Sequence, residues 1–187
     1  MTRKGMTAME KKEGQISELY ELVESFVWML GVLLVVCCFF VRTATVDGGS
    51  MFPTLEDREN LLLQVAGCGN ASYGDILVVN APDLAEKVII KRVVGLAGDT
   101  IEIDFDTGEV RRNGELLDEP YINEPTWTWE GVDFPVQVPE GHLFVLGDNR
   151  NHSKDSRSPD IGMVDVREII GRAFFRLTPF ARVGSIN

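Results

Sequence analysis

Cysteine, histidine and positive charge are the scarce things in this sequence, and each scarcity closes a class of function. Three residues of 187 are cysteine; Cys37 and Cys38 are neighbours inside an apolar run and Cys68 stands alone, so no disulfide framework follows. The two histidines, His142 and His152, lie ten residues apart without a cysteine pair or short helical spacing, which argues against a zinc site and against metal dependence. Lysine and arginine number 18 against 29 acidic residues, giving a net charge of −11 and a pI near 4.6. Nucleic acid is therefore not an expected partner, because phosphate binding needs a concentrated basic surface. No cofactor is expected, and neither repeats nor low-complexity tracts occur.

A long apolar run is present. Phe26 to Val41 carries no charge, and extending back to Leu22 gives twenty residues with Glu24 as the sole charge. At about 1.5 Å per residue this length covers the roughly 30 Å hydrocarbon layer. The apolar residues occupy every face instead of one stripe, as in a membrane helix and unlike the surface helix of a soluble domain. Arg3, Lys4, Lys11 and Lys12 precede the run and Arg42 stands almost alone after it, which predicts a cytoplasmic N-terminus. A cleavable signal peptide is the competing reading; the run is long for an h-region, and Thr43-Ala44-Thr45 is a poor cleavage site. The expected division is a cytoplasmic tail over 1–21, a transmembrane signal-anchor helix over 22–41 and an extracytoplasmic domain over 42–187, since this length supplies one packed core plus an anchor.

Beyond the anchor the period changes to short β-rich runs separated by Gly, Pro, Asn and Asp, predicting an all-β domain. Ile101, Ile103 and Phe105 alternate with Glu102 and Asp104, the pattern of a half-buried strand. Asn113-Gly114 between Glu109–Arg112 and Glu115–Leu117 predicts a two-residue hairpin, because both central positions need positive φ. Further strands are expected at Leu61–Val65, Asp75–Val79, Lys87–Val94, Leu143–Leu146 and Ala173–Leu177, in a barrel-like or sandwich arrangement. Residues 123–135 read as loop, with Trp127 and Trp129 either packed beneath it or dipping into a lipid interface.

Three segments could carry chemistry. Ser50 sits in Asp47-Gly48-Gly49-Ser50-Met51-Phe52-Pro53-Thr54, nine residues past the apolar run; glycines let backbone N–H groups approach a substrate carbonyl and Pro53 stiffens the exit, although a serine beside glycines is also an ordinary turn. Lys91 lies in Val88-Ile89-Ile90-Lys91-Arg92-Val93-Val94. Desolvation on such a strand penalises the charged amine and lowers its pKa from the free value of about 10.4, leaving a neutral base; alternatively the side chain points outward or snorkels. The third segment, Gly147 to Arg157, follows an apolar strand and can present hydroxyls and Asp/Arg pairs at one place, or form a solvated turn.

In this order, anchor, Ser segment, Lys segment and Gly-Asp-Asn segment together resemble the bacterial type I signal peptidases, with likeness continuing to Gly171-Arg172-Ala173-Phe174-Phe175-Arg176. The resemblance implies a signal-peptidase/LexA-like β-barrel-like catalytic fold and a single-pass protein of the bacterial plasma membrane. It implies a serine endopeptidase that removes signal peptides from exported preproteins after small-x-small (Ala-x-Ala) sites, with the bilayer as partner and the secretion translocon nearby. Ser50 matches the nucleophile and Lys91 the general base; Ser153 matches the serine that orients the amine. Asp148 resembles the aspartate paired with Arg92, and Asp155 with Arg157 a further ion pair. Met51, Ile89 and Ile90 fall where the family's substrate lies extended, pairing through its backbone along the strands before Ser50 and Lys91. Some members carry an oxyanion-stabilising serine where this chain has Gly48, so the hole is expected from the Ser50 N–H and a second N–H around Gly48 or Gly49.

Three rivals remain at this level. A relative of the endoplasmic-reticulum or archaeal kind would use a histidine base, yet His152 is not placed where that base occurs. A self-cleaving repressor protease shares a Ser/Lys pair but is soluble, with a DNA-binding region before the serine. A tethered binding domain without catalysis would be expected to lose Ser50 or Lys91, and both are present.

Overall fold

A computed structural model describes residues 3–67, 69–81 and 88–186; Cys68 and Lys87, the first residue of one expected strand, lie outside the described residues. The chain divides into two compact units, Met1–Phe40 and Val41–Asn187. The first is one helix, α1 (Arg3–Phe40). From Glu18 to Phe40 every side chain is exposed, and an 18-residue window within this 23-residue stretch has a mean hydropathy of 2.4. The helix begins earlier than the expected 22–41 and ends one residue sooner. Val41 opens strand β1 (Val41–Thr45) instead, because its backbone pairs with Gln64 on β2 (Asn60–Gln64).

The second unit is all-β. Its strands continue as β3 (Ile76–Asn80), β4 (Val88–Gly95), β5 (Thr100–Asp104), β6 (Glu109–Arg112), β7 (Glu115–Leu116), β8 (Val136–Gln137), β9 (His142–Leu146), β10 (Val164–Asp165), β11 (Ile169–Thr178) and β12 (Gly184–Ser185). The larger sheet runs β1-β2-β11-β3-β4-β9-β10 with β12 added to β11, and the smaller runs β7-β6-β5-β8. Every expected strand is found within a few residues of its predicted bounds. The Asn113-Gly114 turn takes φ of 55° and 81°, the positive values that a tight hairpin demands.

Apolar alternation dictates three packed clusters. Val46, Met51, Leu55, Leu61, Leu63, Ile76 and Val78 fill one side of the large sheet, and Leu77, Val79, Ile89, Val93 and Val145 the other. The third joins the sheets through Val94, Ile101, Ile103, Val110, Phe144 and Leu146. Gly95 permits that junction: a Cβ there would lie 2.9 Å from Ile101 Cδ1 and 3.1 Å from Phe144 Cβ.

The strand order leaves two bare edges. Among the described residues β1 pairs only with β2, while the first half of β4, Val88–Lys91, pairs only with β3 and β9 joins from Arg92 onward. Ala44, Thr45, Val46 and Asp47 line one wall of a groove of about 480 Å³, and Val88, Ile89, Ile90 and Lys91 line another, with Ser50, Met51 and Val78 completing it.

Candidate active site

Ser50 lies in the loop between β1 and β2, and Lys91 on β4. The sheet brings them together: Lys91 Nζ and Ser50 Oγ are hydrogen-bonded at 2.9 Å. Lys91 is 3 % exposed and pairs in register with Leu77 on β3, while Ser50 is half-buried and lines the groove. Of the two readings of Lys91, the buried one is therefore the structure's. The hydroxyl and amine are thus within proton-transfer reach in a partly desolvated cleft.

Three bonds fasten the Ser50 turn to the segment after β9. Asn149 N–H donates to Ser50 C=O at 3.0 Å, Asn149 Nδ2 donates to Gly49 C=O at 2.9 Å, and Thr54 Oγ1 donates to Asp148 Oδ2. Gly147 is required for this approach. A Cβ there would fall 2.0 Å from Ser153 Oγ and 2.6 Å from Ser50 O, so the turn, Ser153 and Gly147 meet at one point. Ser153 is buried and its hydroxyl donates to Asp155 Oδ2 at 3.0 Å.

The ion pairs are internal and multiply bonded. Arg92 grips Asp148 with two bonds of 2.8 and 2.6 Å, donates to Gly74 C=O at 2.9 Å and lies 4.0 Å over the Tyr121 ring. Asp155 accepts from Arg157 Nε at 2.8 Å, from Arg157 Nη2 at 2.9 Å and from Gly147 N–H at 2.9 Å, with both side chains fully buried. Such forks are satisfied by geometry as much as by charge, and an unpaired member would be costly. Burial, and after it the charge of Asp155, pushes the Glu130 carboxyl above its ordinary range despite Arg157 nearby. Burial works against the charge on Arg150, but the hydrogen bonds it donates to Glu119 outweigh it and hold the proton more firmly.

Of the two glycines expected around the second oxyanion donor, Gly48 has its N–H donating to Asp57 Oδ1 at 2.9 Å. Among the described residues no acceptor takes the N–H of Gly49 or Ser50. Met51 and Ile89 are buried and Ile90 half-buried, and all three line the groove. Thr54, Asn149, Gly147, Tyr121 and the Glu119–Arg150 pair were not foreseen as site residues; Thr54 and Gly147 stood inside the quoted motifs, whereas Tyr121 and Glu119 gave no signal. Trp127 and Trp129 are not packed beneath their loop but 47 % and 57 % exposed. No group of histidine, cysteine and acidic side chains able to hold a metal occurs among the described residues.

A buried amine on a β-strand, bonded to a serine hydroxyl that lines the groove, defines a class: β-proteins whose side chains could support hydroxyl-based acyl transfer. Comparison with known proteins narrows the class. The chain matches the signal peptidase, peptidase S26 family over residues 19–178, and it belongs to that family of serine proteases. It is 35% identical over 183 residues to signal peptidase I of Bacillus licheniformis, covering 93% of this chain and 96% of that one. With signal peptidase IB of Staphylococcus aureus (strain N315) it shares 36% over 181 residues, 88% of this chain and 92% of that one. A crystal structure of a signal peptidase I from Enterococcus faecalis V583 aligns at 31% identity with a TM-score of 0.44, covering 58% of this chain and 97% of that chain.

Proposed function

We propose that this chain is a membrane-anchored endopeptidase that removes signal peptides from exported preproteins, with Ser50 as nucleophile and Lys91 as general base. The observation that carries the reading is the 2.9 Å bond between Lys91 Nζ and Ser50 Oγ at a lysine only 3 % exposed. Neutral Lys91 takes the Ser50 proton as Oγ attacks the scissile carbonyl. The carbonyl oxygen, now negative, is met by the Ser50 and Gly49 N–H groups. The protonated amine then gives its proton to the leaving nitrogen, and the new N-terminus departs. Lys91 next deprotonates a water that attacks the acyl ester, returning the proton to Ser50.

Ser153 orients the amine: with its own proton on Asp155, its oxygen has only acceptor capacity to offer. Arg92/Asp148 and Arg157/Asp155 keep the geometry and stay out of the chemistry. The substrate lies extended between the edges of β1 and β4, bonded through its backbone, with small side chains after an Ala-x-Ala pattern facing Met51, Ile89 and Ile90. Residues 22–41 hold the enzyme in the bacterial plasma membrane with residues 1–21 cytoplasmic and the peptidase unit outside, on the exit side of the translocon. Support for that topology is the 23-residue apolar helix and the basic residues before it.

The test is mass spectrometry of a preprotein incubated with detergent-solubilised protein. One cut after the small-x-small site with wild type, and none with Ser50→Ala, is the expected result. An unchanged preprotein across pH 7–10 would sink the catalytic reading in favour of a binding domain.

A further inference from the structure

The turn bearing Ser50 is the middle of a closed loop. At its base Val46 N–H donates to Glu59 C=O at 2.8 Å and Arg58 N–H to Val46 C=O at 2.9 Å. One flank is tied to Asp148 and Asn149, as described above. The other is held from the C-terminal end of the chain. Arg176 on β11 donates through Nη2 to Thr54 C=O at 2.5 Å, and Arg182, in the short turn Phe180–Arg182, donates through Nη2 to Pro53 C=O at 3.2 Å and Thr54 C=O at 3.3 Å.

One further nitrogen of each fork approaches the Glu59 carboxylate, and Arg176 Nη1 donates to Arg182 C=O at 3.3 Å. Arg176 Nε lies 2.7 Å from Glu59 Oε2, and Arg182 Nη1 lies 3.0 Å from Glu59 Oε1 and 2.6 Å from Glu56 Oε1. Glu59 is 1 % exposed. These carboxylate contacts are short ionic approaches outside hydrogen-bond angles, whereas the bonds to Pro53 and Thr54 are directional. The buried charge of Glu59 thus fixes where the guanidinium planes stand, and the planes fix the backbone immediately past Ser50.

We propose that Glu59, Arg176 and Arg182 are positioning residues for the peptidase reaction, a clamp that sets the height of Ser50 Oγ against Lys91 Nζ. The inference rests on Ser50 being the nucleophile. A shift of the clamp is carried to Ser50 because the intervening turn is itself closed, by Phe52 N–H to Gly49 C=O at 3.1 Å and Leu55 N–H to Met51 C=O at 2.9 Å. Displacements of about 1 Å at a reacting group cost up to roughly 100-fold in rate.

Arg182 offers the cleanest test, since its side chain is 28 % exposed and Glu59 keeps Arg176 when it is replaced. Arg182→Lys retains a cation for Glu56 and Glu59, but one ammonium cannot also span to Pro53 and Thr54. Full-length wild type, Ser50→Ala, Arg182→Lys and Arg182→Gln are compared for preprotein cleavage and thermal unfolding. The expected result is a loss of about tenfold in kcat for both Arg182 variants with KM within about twofold, and a wild-type unfolding temperature for Arg182→Lys. Wild-type kcat in Arg182→Lys, or a loss in Arg182→Gln that only matches its unfolded fraction, overturns the clamp; if Arg182→Gln fails to fold, Arg182→Lys decides alone. Cleavage by Ser50→Ala would instead refute the nucleophile assignment, so the two failures are separable.

Discussion

Lys91 and Arg92 are adjacent on β4 and both buried, yet they answer to different partners: the amine to a hydroxyl, the guanidinium to Asp148. The prediction at this scale follows from the distance. Lys91→Ala removes the group bonded to Ser50 and should abolish preprotein cleavage, a loss of at least about 1,000-fold in kcat. His152→Ala should retain most activity, because His152 is exposed on the short turn Arg150–His152. Initial rates of both variants check this, and the reverse pattern would transfer the base to histidine. Ser50, Lys91 and the two Asp/Arg pairs were legible because their motifs carry reactive or charged side chains in a telling order. Asn149, Gly147 and the arginines behind Thr54 were not, since they act on backbone carbonyls or through empty space, and neither leaves a mark on side-chain pattern.

Strands with alternating burial were readable because period two is visible in residues such as Ile101, Glu102 and Ile103. β1 was hidden by its neighbour: Val-Arg-Thr-Ala-Thr has no alternation, and Val41 reads as the last residue of the apolar run. β8, β10 and β12 have two residues each and carry no period to read. The hairpin β5–β6–β7 shows how an element can be fixed by one turn residue. Asn113 Oδ1 accepts from Thr100 N–H at 2.8 Å and its Nδ2 donates to Asp99 Oδ1 at 2.8 Å. Burial pulls the Asp99 carboxyl upward, but bonds from Leu96 N–H, Asn113 and Tyr73 outweigh it and hold it below the ordinary 3.8. A depressed carboxyl stabilises the fold above its unfolded value, and that contribution is lost as pH falls through the folded value. Asn113→Ala should therefore cost about 1–3 kcal/mol at pH 7, from two lost bonds and from alanine's poorer tolerance of positive φ than asparagine's. Denaturant titrations should find the deficit narrowing below about pH 4; a deficit independent of pH would detach Asp99 from the hairpin's stability.

At the scale of the molecule, the groove exists because a seven-strand path ends with one edge of β1 unpaired and because β9 joins β4 only from Arg92 onward. Bare edges invite further pairing, and most proteins cover or charge them. Here both line a cleft of about 480 Å³ that Ser50 also lines, and under the proposed function the unpaired backbone would be the surface that pairs with substrate. An extended peptide filling it would present alternate amides to the two edges, each bond worth about 0.5–1.5 kcal/mol. N-methylation at single positions of a peptide substrate separates this from side-chain recognition alone. Methyl groups on amides on the N-terminal side of the cut, which face β1 and β4 in turn, should raise KM by roughly threefold to tenfold each, with amides beyond the cut near neutral. A flat KM profile along the peptide would mean that the two strands merely wall the groove and that apolar contact with Met51, Ile89 and Ile90 alone holds the substrate.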